Sequence, residues 1–270
     1  MYQQITRTIF ALTIAATQFL SAAAYAQDLA TELNQTYNDG VVVPEQTSAW
    51  RGFLGFGVVA GQQALGDKRS TVVPLISVSY KDTAYWQIAR GGVWLWKHDN
   101  TRVGVALKVR RAYDPTDFEG LTGMEERDAS LEGGVNAVWT AKPLVVSAAY
   151  YTDLSGKSHG DSATLNLAHP LRLSERWRIT PSVSVEWLDA NVVDYYYGVK
   201  PSEAIATRPA YAGKATVNLR TGVAAHYALT RTWSLFGGLN YTRLGDGIGN
   251  SPLVTHDDLF TLHLGAGWRF

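Results

Sequence analysis

The stretch FTLHLGAGWRF, residues 260–270, alternates between two kinds of side chain at every step. One face carries Phe, Leu, Leu, Ala, Trp and Phe, and the other carries Thr, His, Gly, Gly and Arg. Strict alternation predicts a β-strand with one apolar and one polar face. An apolar strand face left bare to water invites aggregation, so something has to cover this one.

The same period of two recurs along most of the chain. It is clearest at 102–111, 128–139, 177–187 and 214–229, and further strands are predicted at 51–61, 71–80, 84–97, 143–153, 161–171 and 232–244. The apolar faces begin or end on Trp, Tyr or Phe, as at a membrane interface. The polar faces carry full charges in mid-strand, which can pair inside a narrow lumen but are costly in a sandwich core. These features predict an all-β fold, a transmembrane antiparallel β-barrel.

The connections between the predicted strands also alternate in length. Tight turns at 141–143, 174–176 and 230–232 alternate along the chain with longer loops at 112–127, 154–160, 190–211 and 245–256. Short periplasmic turns and long outer loops are the pattern of outer-membrane barrels. In a barrel the last strand pairs with the first and lipid covers its apolar face, which accounts for the final stretch.

The number of strands depends on SVSYKDTAYWQIARGGVWLWKHDN, residues 77–100. If 84–97 is one strand, the barrel has eleven strands and breaks the even-number rule of single-chain barrels. A turn at Ala89–Gly92 gives twelve, and loss of one early segment from the barrel gives ten. The prediction is therefore ten to twelve strands, with twelve favoured.

The amino-terminal residues predict export from the cytoplasm. Residues 1–26 combine one cation, Arg7, with a short apolar stretch and Ala24-Tyr25-Ala26, the layout of a cleaved signal peptide. Residues 27–50 are polar and aperiodic and are predicted to form a periplasmic lead-in, followed by the barrel over 51–270.

Composition excludes several classes of protein. The chain has 24 basic and 24 acidic residues, so no strong field points to nucleic acid as a partner. It has no cysteine, which excludes disulfides and thiol catalysis. Mean hydropathy is −0.10, and the mature chain has no apolar run long enough for a membrane-spanning helix.

No convergent catalytic, cofactor or metal set is visible, so the chain is predicted to be non-enzymatic. Ser158, His159 and Asp161 lie together in KSHGDS, but neighbours in sequence rarely form a triad, and a polar outer loop is the better interpretation. His226 and His263 fall on polar strand faces without the spacing of a metal site, so lumen hydrogen bonds are expected instead.

Charged residues on the polar strand faces are predicted to point into the lumen. These lumen charges are Lys108, Arg110, Asp128, Glu132, Arg178, Glu186, Lys214, Arg220 and Arg269. A barrel of ten to twelve strands is narrow compared with the 16 to 18 strands of open porins. Long side chains of both signs would fill much of it, so a small or closed pore is expected.

Two motifs resemble a known family. Tyr-Gly-Val-x3-Glu covers 197–203, and Leu-x-Asp-x4-Ser-Pro-Leu-Val covers 244–254. With PAYAGKA at 209–215 and the ending GWRF, they resemble the MipA/OmpV family of Gram-negative outer-membrane proteins. The signature loops are interpreted as a structural latch over the barrel mouth, formed by Tyr197, Gly198, Val199, Glu203, Tyr211, Leu244, Asp246, Ser251, Pro252, Leu253 and Val254.

The resemblance implies a location and a role. Phe270 would be the carboxy-terminal signal read by the barrel-assembly machinery, and the protein would lie in outer-membrane lipid. The family's namesake acts as a scaffold that brings a lytic transglycosylase together with a murein synthase. A scaffold for murein-processing enzymes is therefore expected, with a small diffusion channel or a surface adhesin as the alternatives.

Overall fold

The computed structural model describes residues 48–66, 69–118 and 120–270. The predicted signal peptide and nearly all of the lead-in lie outside the described residues. The described strands are β1 Trp50–Gly61, β2 Arg69–Tyr80, β3 Ala84–Gln87, β4 Arg90–His98, β5 Thr101–Arg110, β6 Ser130–Ala141, β7 Leu144–Asp153, β8 Asp161–Ala168, β9 Leu171–Arg172, β10 Trp177–Leu188, β11 Thr216–Ala228, β12 Trp233–Arg243 and β13 Asp258–Arg269.

These strands form one closed antiparallel ring in which β13 pairs with β1. The backbone of Phe270 exchanges both hydrogen bonds with Gly52, at 3.0 and 3.1 Å. In the final strand, Phe260 and Leu264 face outward and are about three-fifths exposed in the bare protein, while His263 is buried inside. The predicted barrel, its closure and the two faces of the last strand are therefore confirmed.

The barrel has twelve strands, because β8 and β9 are one strand interrupted by a short break. Both segments pair with β10, Ala168 opposite Ser182 and Leu171 opposite Ile179. The break contains Pro170 and lies across from Pro181. Proline has no backbone N–H to donate, so the ladder cannot run through this point.

The turn between β3 and β4, which makes the number of strands even, begins one residue before the predicted Ala89–Gly92. Ladder pairing ends at Gln87 and Arg90, and Ile88 between them has a φ of +47°. A β-branched residue rarely adopts a positive φ, which is why no sequence rule places the turn there. The twelve-strand alternative is confirmed, with this shift of its turn.

The hairpin of β3 and β4 is short, and it leaves the barrel wall low on one side. β2 pairs with β3 only from Ser77 to Tyr80. Among the described residues, 69–75 of β2 therefore have a ladder partner only in β1. Pro74 lies in this stretch, where its missing N–H costs no ladder bond. We call the low wall between the outer half of β2 and the end of β5 the notch.

Aromatic side chains ring the barrel at the ends with tight turns. The rings of Trp177 and Tyr227 pair across β10 and β11 at 4.9 Å, and those of Trp50 and Tyr80 across β1 and β2 at 4.7 Å. Such a girdle is where amphipathic rings meet the headgroups of a bilayer. No helix in the described part of the chain is long and apolar enough to cross a membrane.

The lumen is polar along most strands but apolar beside β1 and β2. Phe53, Val59, Val73 and Leu75 pack there against Phe236 of β12, and Ile88 of the short hairpin packs onto them. This cluster was not predicted, because β1 and β2 are apolar on both faces and alternation therefore does not tell the inner face from the outer one.

Candidate functional site

The long connections fold together over one mouth of the barrel. We call this structure the cap; it consists of 62–66, 111–118, 120–129, 189–215 and 244–257 and contains the short helices α1 Ala190–Tyr197 and α2 Asp246–Gly249. Its buried core draws on all of these connections and comprises Leu65, Tyr113, Phe118, Leu121, Met124, Leu188, Val192, Val193, Tyr196, Val199, Leu244, Ile248 and Leu253. The connections start on different sides of the ring, so they can share one core only by crossing the mouth. Long loops mark this mouth as the outer one.

The two signature loops meet inside the cap. Ser251 Oγ donates to the carbonyl of Tyr197 at 2.6 Å and accepts from the N–H of Leu253 at 3.2 Å. Val199 exchanges two backbone hydrogen bonds with Tyr211, whose hydroxyl donates to the carbonyl of Gly247 at 2.9 Å. Each loop therefore supplies the hydrogen-bond partners of the other.

The remaining signature residues support the same junction. Gly198 ends α1 and donates its N–H to Asp194, and Asp246 opens α2. Leu244 and Leu253 are in the buried core of the cap, and Val254 packs against it. Pro252 is half-buried between them. This arrangement supports the latch interpretation, which remains a hypothesis about what the motif is for.

Removing the hydroxyl of Ser251 should loosen the latch. Ser251→Ala leaves the buried Leu253 N–H and the Tyr197 carbonyl each without this hydrogen-bond partner. The free energy needed to open the cap should therefore fall by about 1–3 kcal/mol. Hydrogen exchange at 196–199 and 251–254 should quicken accordingly. Ser202→Ala, at an exposed position of the same cap, should leave exchange unchanged. Equal exchange in both variants would contradict the latch.

A buried ion pair joins two further cap segments. Arg127 Nη2 and Glu203 Oε2 lie 2.8 Å apart, and both side chains are almost fully buried. The other carboxylate oxygen accepts from the N–H of Glu125, and the N–H of Lys200 donates to Oε2, both at 3.0 Å. Burial would raise the pKa of Glu203, but the hydrogen bonds from Arg127 and the two backbone donors outweigh it and lower that pKa to about 2.

Arg208 reinforces this pair from a third position. Its guanidinium donates to the carbonyls of Gly120 at 2.7 Å and Glu203 at 2.9 Å. Glu203 was predicted from the sequence, whereas Arg127 and Arg208 were not. Arg127 is 76 residues from Glu203 along the chain, and no spacing pattern links partners so far apart.

Below the cap, three of the predicted lumen charges form one buried cluster. Glu132 is 2% exposed and accepts from two cations, Lys108 Nζ at 2.8 Å and the guanidinium of Arg110. Ser162 accepts from Lys108 at 3.3 Å and donates to Glu132 at 3.4 Å. The cluster joins β5, β6 and β8 inside the barrel.

Four other predicted lumen charges also belong to barrel strands and have polar neighbours. Glu186 accepts from Asn218 at 3.3 Å, and Arg220 donates to Thr242 at 3.1 Å. Arg269 donates to the buried Ser234 at 3.3 Å, and Arg178 is buried in β10.

Two predicted lumen charges lie elsewhere, and for them the prediction was wrong. Asp128 precedes β6 and forms an exposed pair with Lys157, at 2.5 Å. Lys214 precedes β11 and is exposed. In both cases the alternation of residue types continues past the end of the hydrogen-bonded ladder, into the cap.

The residues of KSHGDS form a turn around a carboxylate. Asp153 accepts from the N–H groups of Ser155 at 2.9 Å, Ser158 at 2.7 Å and His159 at 3.0 Å. This geometry is that of a polar outer loop held by a local acceptor. His226 and His263 are both buried in barrel strands.

A cavity of about 320 Å³ lies between the cap and the strands. Its lining comes from the ends of strands, from the connections after β1, β5 and β12 and from α1: Gln62, Gln63, Ala64, Leu65, Arg110, Arg111, Ala112, Tyr113, Phe118, Glu186, Leu188, Tyr196, Tyr197, Asn218, Arg220, Thr242, Leu244, Leu259 and Thr261. Three guanidinium groups and one carboxylate are among these side chains. The cavity is therefore charged and enclosed from above by the cap.

Comparisons with known proteins agree with this architecture. The family model described as MltA-interacting protein MipA matches residues 54–270. The "Putative outer membrane protein YiaT" of Escherichia coli K12 is 26% identical over 92% of this chain and 94% of the relative. The outer membrane protein OmpV of Vibrio cholerae is 29% identical over 53% of this chain and 55% of the relative. The MltA-interacting protein of Escherichia coli K12 is 22% identical over 80% of this chain and 89% of the relative.

The names of these relatives and the closed barrel place the protein in the outer membrane of a Gram-negative bacterium. The family model matches most of the chain, including all of the barrel from Leu54 onward and both signature loops of the cap. The protein belongs to the MipA family, described as MltA-interacting proteins.

Proposed function

We propose that this protein is a non-enzymatic scaffold in the outer membrane that binds murein-processing enzymes, a lytic transglycosylase and a murein synthase. The observation that carries the proposal is the obstructed lumen. The cap covers the outer mouth, and the buried cluster around Glu132 occupies the lumen beside β5, β6 and β8 beneath it. A barrel obstructed in this way is better suited to anchoring a partner than to passing solutes. The relative named MltA-interacting protein supports a partner of the transglycosylase class.

The contact surface is proposed on the periplasmic face, where murein enzymes work. Two tight turns, 173–176 and 229–232, lie side by side there, joined by a 2.9 Å hydrogen bond from Ala228 N–H to the carbonyl of Arg176. Leu173 is 62% exposed and Leu229 is 50% exposed. Exposed leucines among charged neighbours suit a protein contact. Residues 27–47, outside the described residues, are proposed to contribute as well.

A binding assay with matched surface changes tests the scaffold. Leu173→Ser with Leu229→Ser should weaken capture of purified transglycosylase MltA by the detergent-solubilised protein at least tenfold. Ile205→Ser changes an equally exposed aliphatic side chain on the cap and should have no effect. Equal capture by all three proteins would contradict the proposed surface. Capture that survives deletion of 27–45 would count against that segment.

A small diffusion channel is the second candidate, and the cavity beneath the cap is what favours it. Single-channel recording of the refolded protein in a planar bilayer separates the two. The scaffold proposal expects a folded but silent barrel. Steady, ion-selective steps would favour the channel and make Arg220 and Glu186 the next positions to change.

A further inference from the structure

The periplasmic end of the barrel is strongly basic. The segments that form it hold ten Lys and Arg residues against three Asp and Glu residues; they are 50–52, 78–85, 96–103, 139–146, 169–178, 226–234 and 268–270. The carboxylate of Phe270 adds one more negative charge. The described cap has the opposite balance, with five cations and ten acids. The two ends of the barrel therefore carry fields of opposite sign, and the periplasmic mouth attracts anions.

Three of these cations, Arg51, Lys97 and Arg102, face the lumen at this mouth. Arg51 is two residues from the buried Phe53 of β1, and Arg102 is four residues from the buried Ala106 of β5. Residues at even spacings share one face of a strand, so both arginines are on the inner face. Lys97 is the ladder partner of Arg102, and directly opposed residues project from the same face of a sheet.

The three cations have one carboxylate among them. Asp82 forms an ion pair with Arg51, and Lys97 donates to Thr83 Oγ1 of the same turn at 3.3 Å. Within the described part of the chain, neither Lys97 nor Arg102 has an ion-pair partner. Like charges directly opposite each other destabilise a ladder. A further carboxylate placed between Lys97 and Arg102 would offset this repulsion.

The lead-in contains such carboxylates. Residues 27–47 include Asp28, Glu32, Asp39 and Glu45 but no Lys or Arg. A random coil of this length spans about 25 Å. Twelve strands about 4.8 Å apart and tilted by about 40° enclose a ring roughly 24 Å across between backbones. The segment is therefore long enough to reach any side of the mouth.

The point of attachment places the lead-in beside the three cations. Ala49, two residues after the segment, accepts a hydrogen bond at 2.7 Å from the N–H of Lys81. Lys81 begins the turn that contacts both Arg51 and Lys97. The segment is thus tethered at the rim of the mouth, where its effective concentration is on the order of 1 mM. An intrinsic Kd of about 1 mM is then sufficient for half occupancy.

We propose that residues 27–47 dock in the periplasmic mouth of the barrel, with their carboxylates against Lys97, Arg102 and Arg51. The docked segment fills this mouth and lies on the face to which the scaffold proposal assigns the partner. Docking does not depend on that proposal, because it involves this chain alone and is tested without any transglycosylase.

The mobility of a spin label tests the docking. The chain has no cysteine, so Thr36→Cys gives one labelling site in the refolded chain without the predicted signal peptide. Most of the label should be immobile. Adding Lys97→Gln with Arg102→Gln should lower the ratio of immobile to mobile label about tenfold. The matched control, Lys142→Gln with Arg231→Gln, removes two exposed cations of periplasmic turns and should leave the ratio unchanged.

The acids of the segment and salt provide the reciprocal test. Neutralising all four acids should release the label as the loss of the cations does: Asp28→Asn, Glu32→Gln, Asp39→Asn and Glu45→Gln. Sodium chloride at about 1 M should release it too, because it screens charges beyond about 3 Å. A mobile label in the parent would overturn the docking and leave the mouth to an anionic solute or headgroup. A label equally immobile without Lys97 and Arg102, or equally released in the control, would overturn the proposed contacts.

Carbodiimide coupling identifies the contact directly. The reagent activates a carboxylate, a lysine amine attacks it to form an amide, and the reagent leaves as a urea. Mass spectrometry should find Lys97 joined to a carboxylate of 27–47. Lys200 and Glu125, 2.5 Å apart in the cap, are the internal standard. If the standard forms and Lys97 is joined to no residue of the lead-in, the proposal is overturned. Heat-modifiable migration on a gel verifies that each variant has folded.

Discussion

Glu132→Gln should destabilise the barrel by about 3–5 kcal/mol, one of the two largest effects expected of a single substitution here. The change removes the carboxylate that is ion-paired with both Lys108 and Arg110 and leaves these two buried cations to repel each other. Urea unfolding of the refolded protein in detergent, followed by tryptophan fluorescence, should show the midpoint fall. The heat-resistant folded band should be lost at a lower temperature.

A control and a compensating change make this prediction specific. Asp128→Asn removes a carboxylate of an exposed ion pair with Lys157, and such a pair contributes only about 0–1 kcal/mol. Adding Lys108→Met to Glu132→Gln removes one of the stranded cations and should recover part of the loss. If Glu132→Gln unfolds at the same urea concentration as the parent, water reaches these charges and the lumen is not obstructed there.

The barrel was predictable because its two faces meet different solvents. Lipid on one side and a polar lumen on the other impose alternation, and the final strand shows it without a break. Prediction failed where that contrast disappears. β1 and β2 are apolar on both faces, so the lumen cluster of Phe53, Val73 and Leu75 left no trace in the pattern. The turn at Ile88 was missed for a different reason, since its backbone conformation belongs to the fold and not to isoleucine.

The cap was predictable in its location but not in its bonds. Resemblance singled out Tyr197, Ser251 and Leu253, and these residues do meet. Two partners of the Glu203 carboxylate, Glu125 N–H and Arg127, come from the distant segment after β5, and local sequence carries no record of such pairs. Alternation also misled at Asp128 and Lys214, because residue types can alternate without a ladder to hold them. The alternation of residue types along the chain therefore predicts strands, whereas ion pairs between distant segments become visible only in the folded structure.

Glu203→Gln should open the cap without unfolding the barrel. The change weakens the bond to the buried Arg127, and breaking a buried ion pair costs about 3–5 kcal/mol. Local opening should therefore rise by on the order of a hundredfold or more. Hydrogen exchange should quicken in 120–129 and 199–211 while β6 and β11 stay protected. Exchange that quickens equally in the strands would mean that cap and barrel unfold together.

Acid should reproduce this effect in the parent protein. The pKa of Glu203 is lowered to about 2 in the folded cap, whereas an unfolded glutamate titrates near 4.3. A lowered carboxyl pKa stabilises the folded state fully above the unfolded value, and that stabilisation fades as pH falls towards 2. The charges that face Glu203 are Arg127 and Arg208, and the exposed pair of Glu125 and Lys200 adjoins it.

The rate of hydrogen exchange in the cap, corrected for its intrinsic pH dependence, should thus be constant from pH 8 to 5 and rise below about pH 4. We call this rise the acid step. Glu203→Gln should exchange fast throughout and lose this acid step. Glu125→Gln should keep it, since that carboxylate is exposed and its pair with Lys200 contributes little. An acid step that persists in Glu203→Gln would assign it to another carboxyl. The pair of Arg127 and Glu203 would then not be the contact that makes the cap sensitive to acid.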